Sequence, residues 1–168
     1  MPSLRWNIAI SVLFTLFGGP ALLLAYIPWT ITRFRIPAYE TQAQIFFAAA
    51  LILVGLLPLF GSIVRFVVVG HGTLVPAAPP QHLVVTGLYR YVRNPMYVGV
   101  LTSLAGETLL FRSRGMIEEL AMAALAMHLF VLLYEEPKLA RTFPDDFRRY
   151  KRHVRRWIPR ISPWNPLA

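Results

Sequence analysis

The chain has 168 residues, 56% hydrophobic and only 15% charged, with a formal net charge of +9. The apolar excess lies in long blocks, which excludes an ordinary soluble domain and argues for an all-α integral membrane protein. With no cysteine, disulfides, thiolate metal sites and cysteine nucleophiles are excluded, and in a bilayer the positive charge reads as affinity for anionic lipid, with no nucleic acid partner.

Arg5 precedes an apolar run from Ile8 to Tyr26. The run is long for a signal-peptide core and no small-residue cleavage site follows, so a first membrane helix is expected, loosened at Gly18-Gly19-Pro20. Trp29 and Tyr39 fall where interfacial aromatics belong. Arg33 to Gln44 is a polar connection. Ile45 to Val69 is a second span, with Pro58 and Gly61 predicting a kink. Arg65 near its end is placed to snorkel or to face a ligand. After Gly70-His71-Gly72-Thr73, the prolines Pro76, Pro79 and Pro80 keep the chain out of a helix.

Gln81 to Gly99 is the only long interruption of the apolar pattern. Gly87 permits a turn, Tyr89, Tyr91 and Tyr97 bring rings with hydroxyl tips, and Arg90 and Arg93 bring charge. Asn94 and Pro95 read as the N-cap and first position of a returning helix. The free N–H groups of such a helix start favour a carboxylate or phosphate. Met96 to Phe111 is a third span, short for a bilayer, with Gly99, Ser103 and Gly106 spaced for close helix packing. Glu107 lies inside it, where an acidic residue is costly and either functional or turned to the interface. Arg112 to Glu119 is a polar hairpin. The fourth helix begins near Met116 and runs through apolar Leu120 to Tyr134 into Glu135-Glu136.

Leu139, Phe143, Phe147, Tyr150, Val154 and Trp157 recur at steps of three and four, with arginines on the other faces. That pattern predicts an amphipathic interfacial helix, restarted by Pro144. Four spans with the C-terminus inside place Arg5, Arg65, Arg90, Arg93 and everything from Lys138 onward in the cytoplasm. Only Arg33, Arg35, Arg112 and Arg114 lie outside, as the positive-inside rule requires. Both termini are then cytoplasmic. His71, His82, His128 and Glu135 lack a tight ligand spacing, so no metal is expected.

The segments 82–99 (HLVVTGLYRYVRNPMYVG) and 134–160 (YEEPKLARTFPDDFRRYKRHVRRWIPR) resemble the isoprenylcysteine carboxyl methyltransferase and phospholipid methyltransferase family of integral membrane methyltransferases. The resemblance implies one membrane domain over 1–168, with two N-terminal spans in 1–69 and a cofactor-binding core in 70–168. It implies a cytoplasm-facing S-adenosylmethionine pocket and a lipophilic substrate entering from the bilayer; the expected location is a prokaryotic inner membrane. Gln81, His82, Leu83, Val84, Tyr89, Asn94, Pro95, Met96 and Tyr97 correspond to cofactor contacts. Glu135 corresponds to the acidic cofactor ligand, with Glu136 beside it. Arg93 and Glu107 are candidates for a role in catalysis. Prenylcysteine enzymes carry histidine where Asn94 stands and an arginine where Val131 stands, so prenylcysteine itself is not the expected acceptor; another lipophilic or amphiphilic carboxylate, a lipid amine or a thiol is. A membrane NADPH-dependent sterol-type reductase, which shares the C-terminal blocks, and a non-enzymatic membrane protein are the alternatives.

Overall fold

The computed structural model describes residues 18–38, 41–70 and 83–165, and among them every regular element is helical. Helix α1 spans Gly19–Thr32, α2 Gln42–Gly70, α3 Pro95–Phe111, α4 Arg114–Thr142 and α5 Pro144–His153. A single 3₁₀ turn, Gly87–Arg90, stands before α3.

Among the described residues two helices are long and apolar enough to cross a membrane: 24 residues in Gln42–Arg65 and 29 in Arg114–Thr142. The bilayer core asks for about 20. Helix α1 and the 17-residue α3 are shorter apolar helices. Large apolar side chains stand exposed on the outer faces, Phe46, Leu57, Met122 and Leu133 among them. Lipid-facing residues have this character, because hydrocarbon needs no polar cover.

Local chemistry explains the helix boundaries. Thr41 and Gln44 form a reciprocal capping box at the start of α2: Gln44 N–H donates to Thr41 Oγ1 (3.3 Å), and Thr41 N–H donates to Gln44 Oε1 (3.0 Å). Helix α2 therefore starts at Gln42, inside the polar connection expected from Arg33 to Gln44. Helix α1 continues past Tyr26 to Thr32, and residues 8–17 of the expected first span lie outside the described residues. Helices α1 and α4 each contain a π-turn, Leu22–Tyr26 and Val131–Glu135. Each turn ends two residues before a proline, Pro28 and Pro137. A proline has no N–H for the carbonyl four residues back, so the hydrogen-bond ladder slips there.

The core joins α1 to α4. Leu59 and Ile63 of α2, Val100 and Leu104 of α3 and Ala123 of α4 are buried together, with Leu23 and Leu24 of α1 packed on them. Helices α2 and α3 make the closest crossing. A Cβ on Gly99 would lie 2.6 Å from the Gly55 carbonyl oxygen, and one on Gly106 2.8 Å from that of Ala48. Ser103 Oγ donates to the Ile52 carbonyl at 3.1 Å, satisfying a hydroxyl buried in the crossing.

The helices alternate in direction. The end of α1 meets the end of α3 through Phe34 and Phe111, 6.0 Å between ring centroids, and Ile31 touches Gly115 at the start of α4. The end of α2 meets the 3₁₀ turn: Arg65 lies so close over Gly87 that a Cβ there would sit 2.6 Å from its Nε. Gly87 has φ +58°, open to glycine and strained for other residues. Arg33, Arg35, Arg112 and Arg114 therefore gather at one end of the bundle. Arg65, Arg90, Arg93 and the C-terminal arginines gather at the other.

The single amphipathic helix expected through Trp157 is corrected by the structure. Helix α5 ends at His153, and Val154 is extended at φ −118°, ψ 126°. Its apolar face does not lie open to a bilayer. Phe147, Tyr150 and Val154 are buried with Trp164 against Leu83, Val85, Leu139 and Phe143 of the same chain. From Val154 to Asn165 the chain forms an irregular strap across the stretch before α3.

Candidate active site

The stretch 83–94 is mostly non-helical, so its backbone groups need partners from elsewhere. The strap supplies them. Arg93 N–H donates to Arg155 O (2.9 Å), Arg160 N–H to Tyr91 O (2.9 Å) and Trp164 N–H to Arg90 O (3.0 Å). Arg90 Nε donates to Trp164 O at 2.6 Å, and Tyr150 OH to Tyr89 O at 2.6 Å. Asn94 occupies the N-cap position of α3 without a side-chain capping bond; its amide donates instead to Arg156 O at 3.1 Å. The residue expected to cap a helix therefore fastens the strap.

Beneath this lacing lies a charge cluster. Arg156 holds Glu136 in a fork, Nε to Oε1 at 2.6 Å and Nη2 to Oε2 at 2.9 Å. Arg93 Nη2 reaches Glu136 Oε1 at 3.1 Å, and Lys151 Nζ approaches Oε2 at 3.8 Å. The hydrogen bond to Glu136 raises the Arg156 guanidinium above its ordinary value. Burial lowers Arg93, with Glu136 opposing. Arginine nevertheless stays charged in such surroundings. Its Nε and Nη1 are buried with no hydrogen-bond partner among the described residues.

Glu135, next in the chain, has a different environment. Tyr97 OH donates to its Oε1 at 2.5 Å, and no cation among the described residues pairs with it. Burial pushes the Tyr89 hydroxyl up, and the Glu135 charge adds to that shift. Trp157 of the strap closes the far side. Its ring lies 6.5 Å from that of Tyr97, and its indole N–H donates to His128 Nδ1 at 3.1 Å. The two glutamates do not sit at a helix end. Helix α4 runs through them, and the π-turn that ends at Glu135 gives the neighbours separate surroundings.

The structure thus brings Tyr89, Arg93, Tyr97 and Glu135 to one place, with Glu136 and Asn94 bracing it from behind. Leu83 packs under α5, Val84 is buried, and Met96 packs on the bundle core. Pro95 is the first residue of α3. Gln81 and His82, and the Gly-His-Gly element from Gly70, lie where side chains are outside the described residues. Glu107 stands ten residues beyond Tyr97 on α3, roughly 15 Å along the axis, and so belongs to the other end of the bundle. There it is buried near Glu119, and each has carboxylate oxygen without a partner. Among the described residues no group of three or more histidine, aspartate or glutamate side chains is placed to hold a metal. Sequence reasoning expects Trp157 on a face turned to the membrane or the pocket and weighs His128 only as a metal ligand; it misses Arg156, and it misses the Trp157–His128 hydrogen bond. Their partners are 20 or more residues away (Glu136 for Arg156, His128 for Trp157), and helical periodicity had put both strap residues on α5.

Comparison with known families agrees with this architecture. A family model described as phospholipid methyltransferase matches residues 43–146, which takes in α2, α3, α4 and the Tyr97–Glu135 pair and stops short of the strap. No curated protein and no solved structure matches the chain significantly. The match covers more than half of the 168 residues, and the chain belongs to the phospholipid methyltransferase family, a family of membrane methyltransferases.

Proposed function

We propose that the protein transfers a methyl group from S-adenosylmethionine to a lipophilic or amphiphilic acceptor at the cytoplasmic membrane face. The observation that carries the reading is the pairing of opposite needs at one site. Among the described residues, Arg93 has two buried donor nitrogens without an acceptor, and Glu135, next in the chain to the Glu136 that Arg93 pairs with, is a carboxylate without a cation. An α-amino acid has the complementary pair, a carboxylate and an ammonium. The residues present therefore fit the methyl donor: Arg93 and the first N–H groups of α3 would hold its carboxylate, and Glu135 its ammonium or ribose hydroxyls. The Tyr97 and Tyr89 rings suit a cationic sulfonium or an adenine face. When bound, S-adenosylmethionine supplies a methyl on a positive sulfur, which leaves as a neutral thioether while the acceptor atom gains the methyl.

The chain contributes alignment rather than acid–base chemistry. In-line displacement depends on holding two reactants in register, and such positioning accounts for several kcal/mol of a barrier, on the order of 7–11 at best. The strap orders the 83–94 stretch, and the Glu136 cluster holds Arg93 in place. Four spans with both termini cytoplasmic are supported by the segregation of arginines to one end of the bundle. Exposed Arg148, Arg152 and Arg155 at that end suit contact with anionic lipid.

The test is calorimetric titration of the detergent-solubilised protein with S-adenosylmethionine and, separately, NADPH. S-adenosylmethionine should bind, and Glu135→Gln should weaken it on the order of tenfold or more, the loss expected for a charge-assisted hydrogen bond. Binding of NADPH in its place, or an unchanged affinity in Glu135→Gln, would refute the reading.

A further inference from the structure

His128 is the only polar side chain of α4 between Glu119 and Tyr134. It lies one turn before Val131 and two before Glu135. Its ring is 6.0 Å from that of Trp157, which in turn stands 6.5 Å from Tyr97, the partner of Glu135. A chain of contacts thus ties a half-buried imidazole, set deeper along the apolar helix, to the edge of the site.

The hydrogen bond fixes what this imidazole can do. An indole N–H only donates. His128 Nδ1, which accepts it at 3.1 Å, must carry a lone pair, so the ring proton is on Nε2. Nε2–H has no partner among the described residues. On α4 the positions one turn to either side of His128 are all apolar, Ala124, Leu125, Val131 and Leu132, so this N–H is a lone donor on its stretch of the helix. Such a group can donate to an oxygen, and it stands two turns before Glu135 on the same apolar helix.

We propose that His128 is a specificity-determining residue of the acceptor site. Its Nε2–H receives a phosphodiester oxygen of a phospholipid entering along α4, and Trp157 holds the tautomer that makes this possible. The proposal rests on the methyl-transfer reading for its purpose, but the lipid contact is measurable without the methyl donor.

The experiment compares wild type, His128→Gln, His128→Leu and Trp157→Phe. Retention of added phosphatidylethanolamine is read by native mass spectrometry from detergent, beside the deacylated head group glycerophosphoethanolamine. Methyl-donor affinity and acceptor KM are read on the same proteins. His128→Leu should lose lipid affinity and raise acceptor KM on the order of tenfold, the scale of one hydrogen bond, with donor affinity unchanged. His128→Gln, whose amide reaches the place of Nε2, should stay within about threefold of wild type, and Trp157→Phe should fall between. Wild-type lipid affinity in His128→Leu, or a His128→Gln as impaired as the leucine variant, would overturn the proposal. So would equal retention of the deacylated head group, which would make the site one for a free phosphate ester. Wild-type protein that holds the lipid but not S-adenosylmethionine would sink the methyl-transfer reading and leave the His128 contact standing.

Discussion

The Glu136 cluster should behave as a latch, and a double-mutant cycle measures it. The Glu136 side chain is 10% exposed, Arg93 9% and Arg156 23%. Arg156→Met removes two charge-assisted hydrogen bonds, at 2.6 and 2.9 Å. Breaking a buried pair by deleting one partner costs about 3–5 kcal/mol when nothing else compensates. Arg93 remains at 3.1 Å and compensates in part, while Lys151, at 3.8 Å and 55% exposed, is screened and adds little. The expected loss is therefore roughly 2–3 kcal/mol. At this chain length that lowers the unfolding midpoint by roughly 5–10 °C. Glu136→Gln should cost at least as much, because it strands buried Arg93 as well as Arg156. The double variant should cost less than the sum by about 1.5 kcal/mol or more. Tryptophan fluorescence during thermal unfolding in detergent includes the signal of Trp157 and Trp164, two of the four tryptophans. Both single variants should also weaken S-adenosylmethionine binding, since the strap carries Trp157 and fastens Asn94. Additivity within about 0.5 kcal/mol would show that Glu136 and Arg156 do not act as a unit, and the latch would be refuted.

The α2–α3 crossing gives a second contrast. Gly99→Ala places a Cβ 2.6 Å from Gly55 O and 2.9 Å from Leu59 N, both backbone, so the helices must part. A loss of about 1–3 kcal/mol is expected. Gly61→Ala meets nothing nearer than Leu88 Cδ1 at 3.9 Å and should be neutral or gain up to about 1 kcal/mol; equal thermal shifts in the two variants would contradict the close crossing. For topology, the absence of native cysteine makes labelling direct. A cysteine at Ser113 should react with an impermeant maleimide from outside the cell, and one at Ser162 only after permeabilisation, with the reverse pattern overturning the cytoplasmic site.

The parts of this molecule legible in the sequence are those written in local chemistry. Apolar blocks gave the helices, and the spacing of Gly99, Ser103 and Gly106 gave the face of α3 that meets α2. Pro95 marked the start of α3. Charge asymmetry brings the start of α3 and the end of α4 to the same membrane face, but only the family resemblance joins Tyr97 and Glu135 in one pocket, because neither segment by itself states which side chains of the two helices meet. The strap was not legible. Phe147, Tyr150, Val154 and Trp157 satisfy helical periodicity equally well whether the chain stays helical or turns extended after His153. The choice is made by partners across the fold: Tyr91, Asn94 and Glu136 draw the backbone and Arg156 toward them. The division of labour between the paired glutamates was hidden for a related reason. Adjacent residues of one type look equivalent in a sequence, and only the π-turn before Pro137 and the arrival of Arg156 separate them.

Val131 tests the acceptor chemistry. Prenylcysteine enzymes have an arginine at this position, and an arginine here would in principle greet a carboxylate acceptor. The structure leaves no place for one. Val131 is 1% exposed, within the π-turn of α4. A guanidinium in that pocket would either stand unpaired, at a cost of several kcal/mol, or turn one step along the helix to Glu135. The second course would displace Tyr97 and neutralise the carboxylate that the methyl donor needs. Val131→Arg is therefore expected to lower stability by about 3 kcal/mol or more, or to bind S-adenosylmethionine on the order of tenfold more weakly, and in neither case to gain turnover. Val131→Met, larger but uncharged, should cost no more than about 1–3 kcal/mol and keep donor affinity, which separates the effect of charge from that of volume. The assay is transfer of a radiolabelled methyl group to a prenylcysteine analogue, a phosphatidylethanolamine and a small thiol. Robust methylation of the prenylcysteine analogue by wild type, or a folded Val131→Arg with raised activity on it, would mean that the acceptor approaches Val131 after all and that its anion is met there rather than one turn earlier at His128.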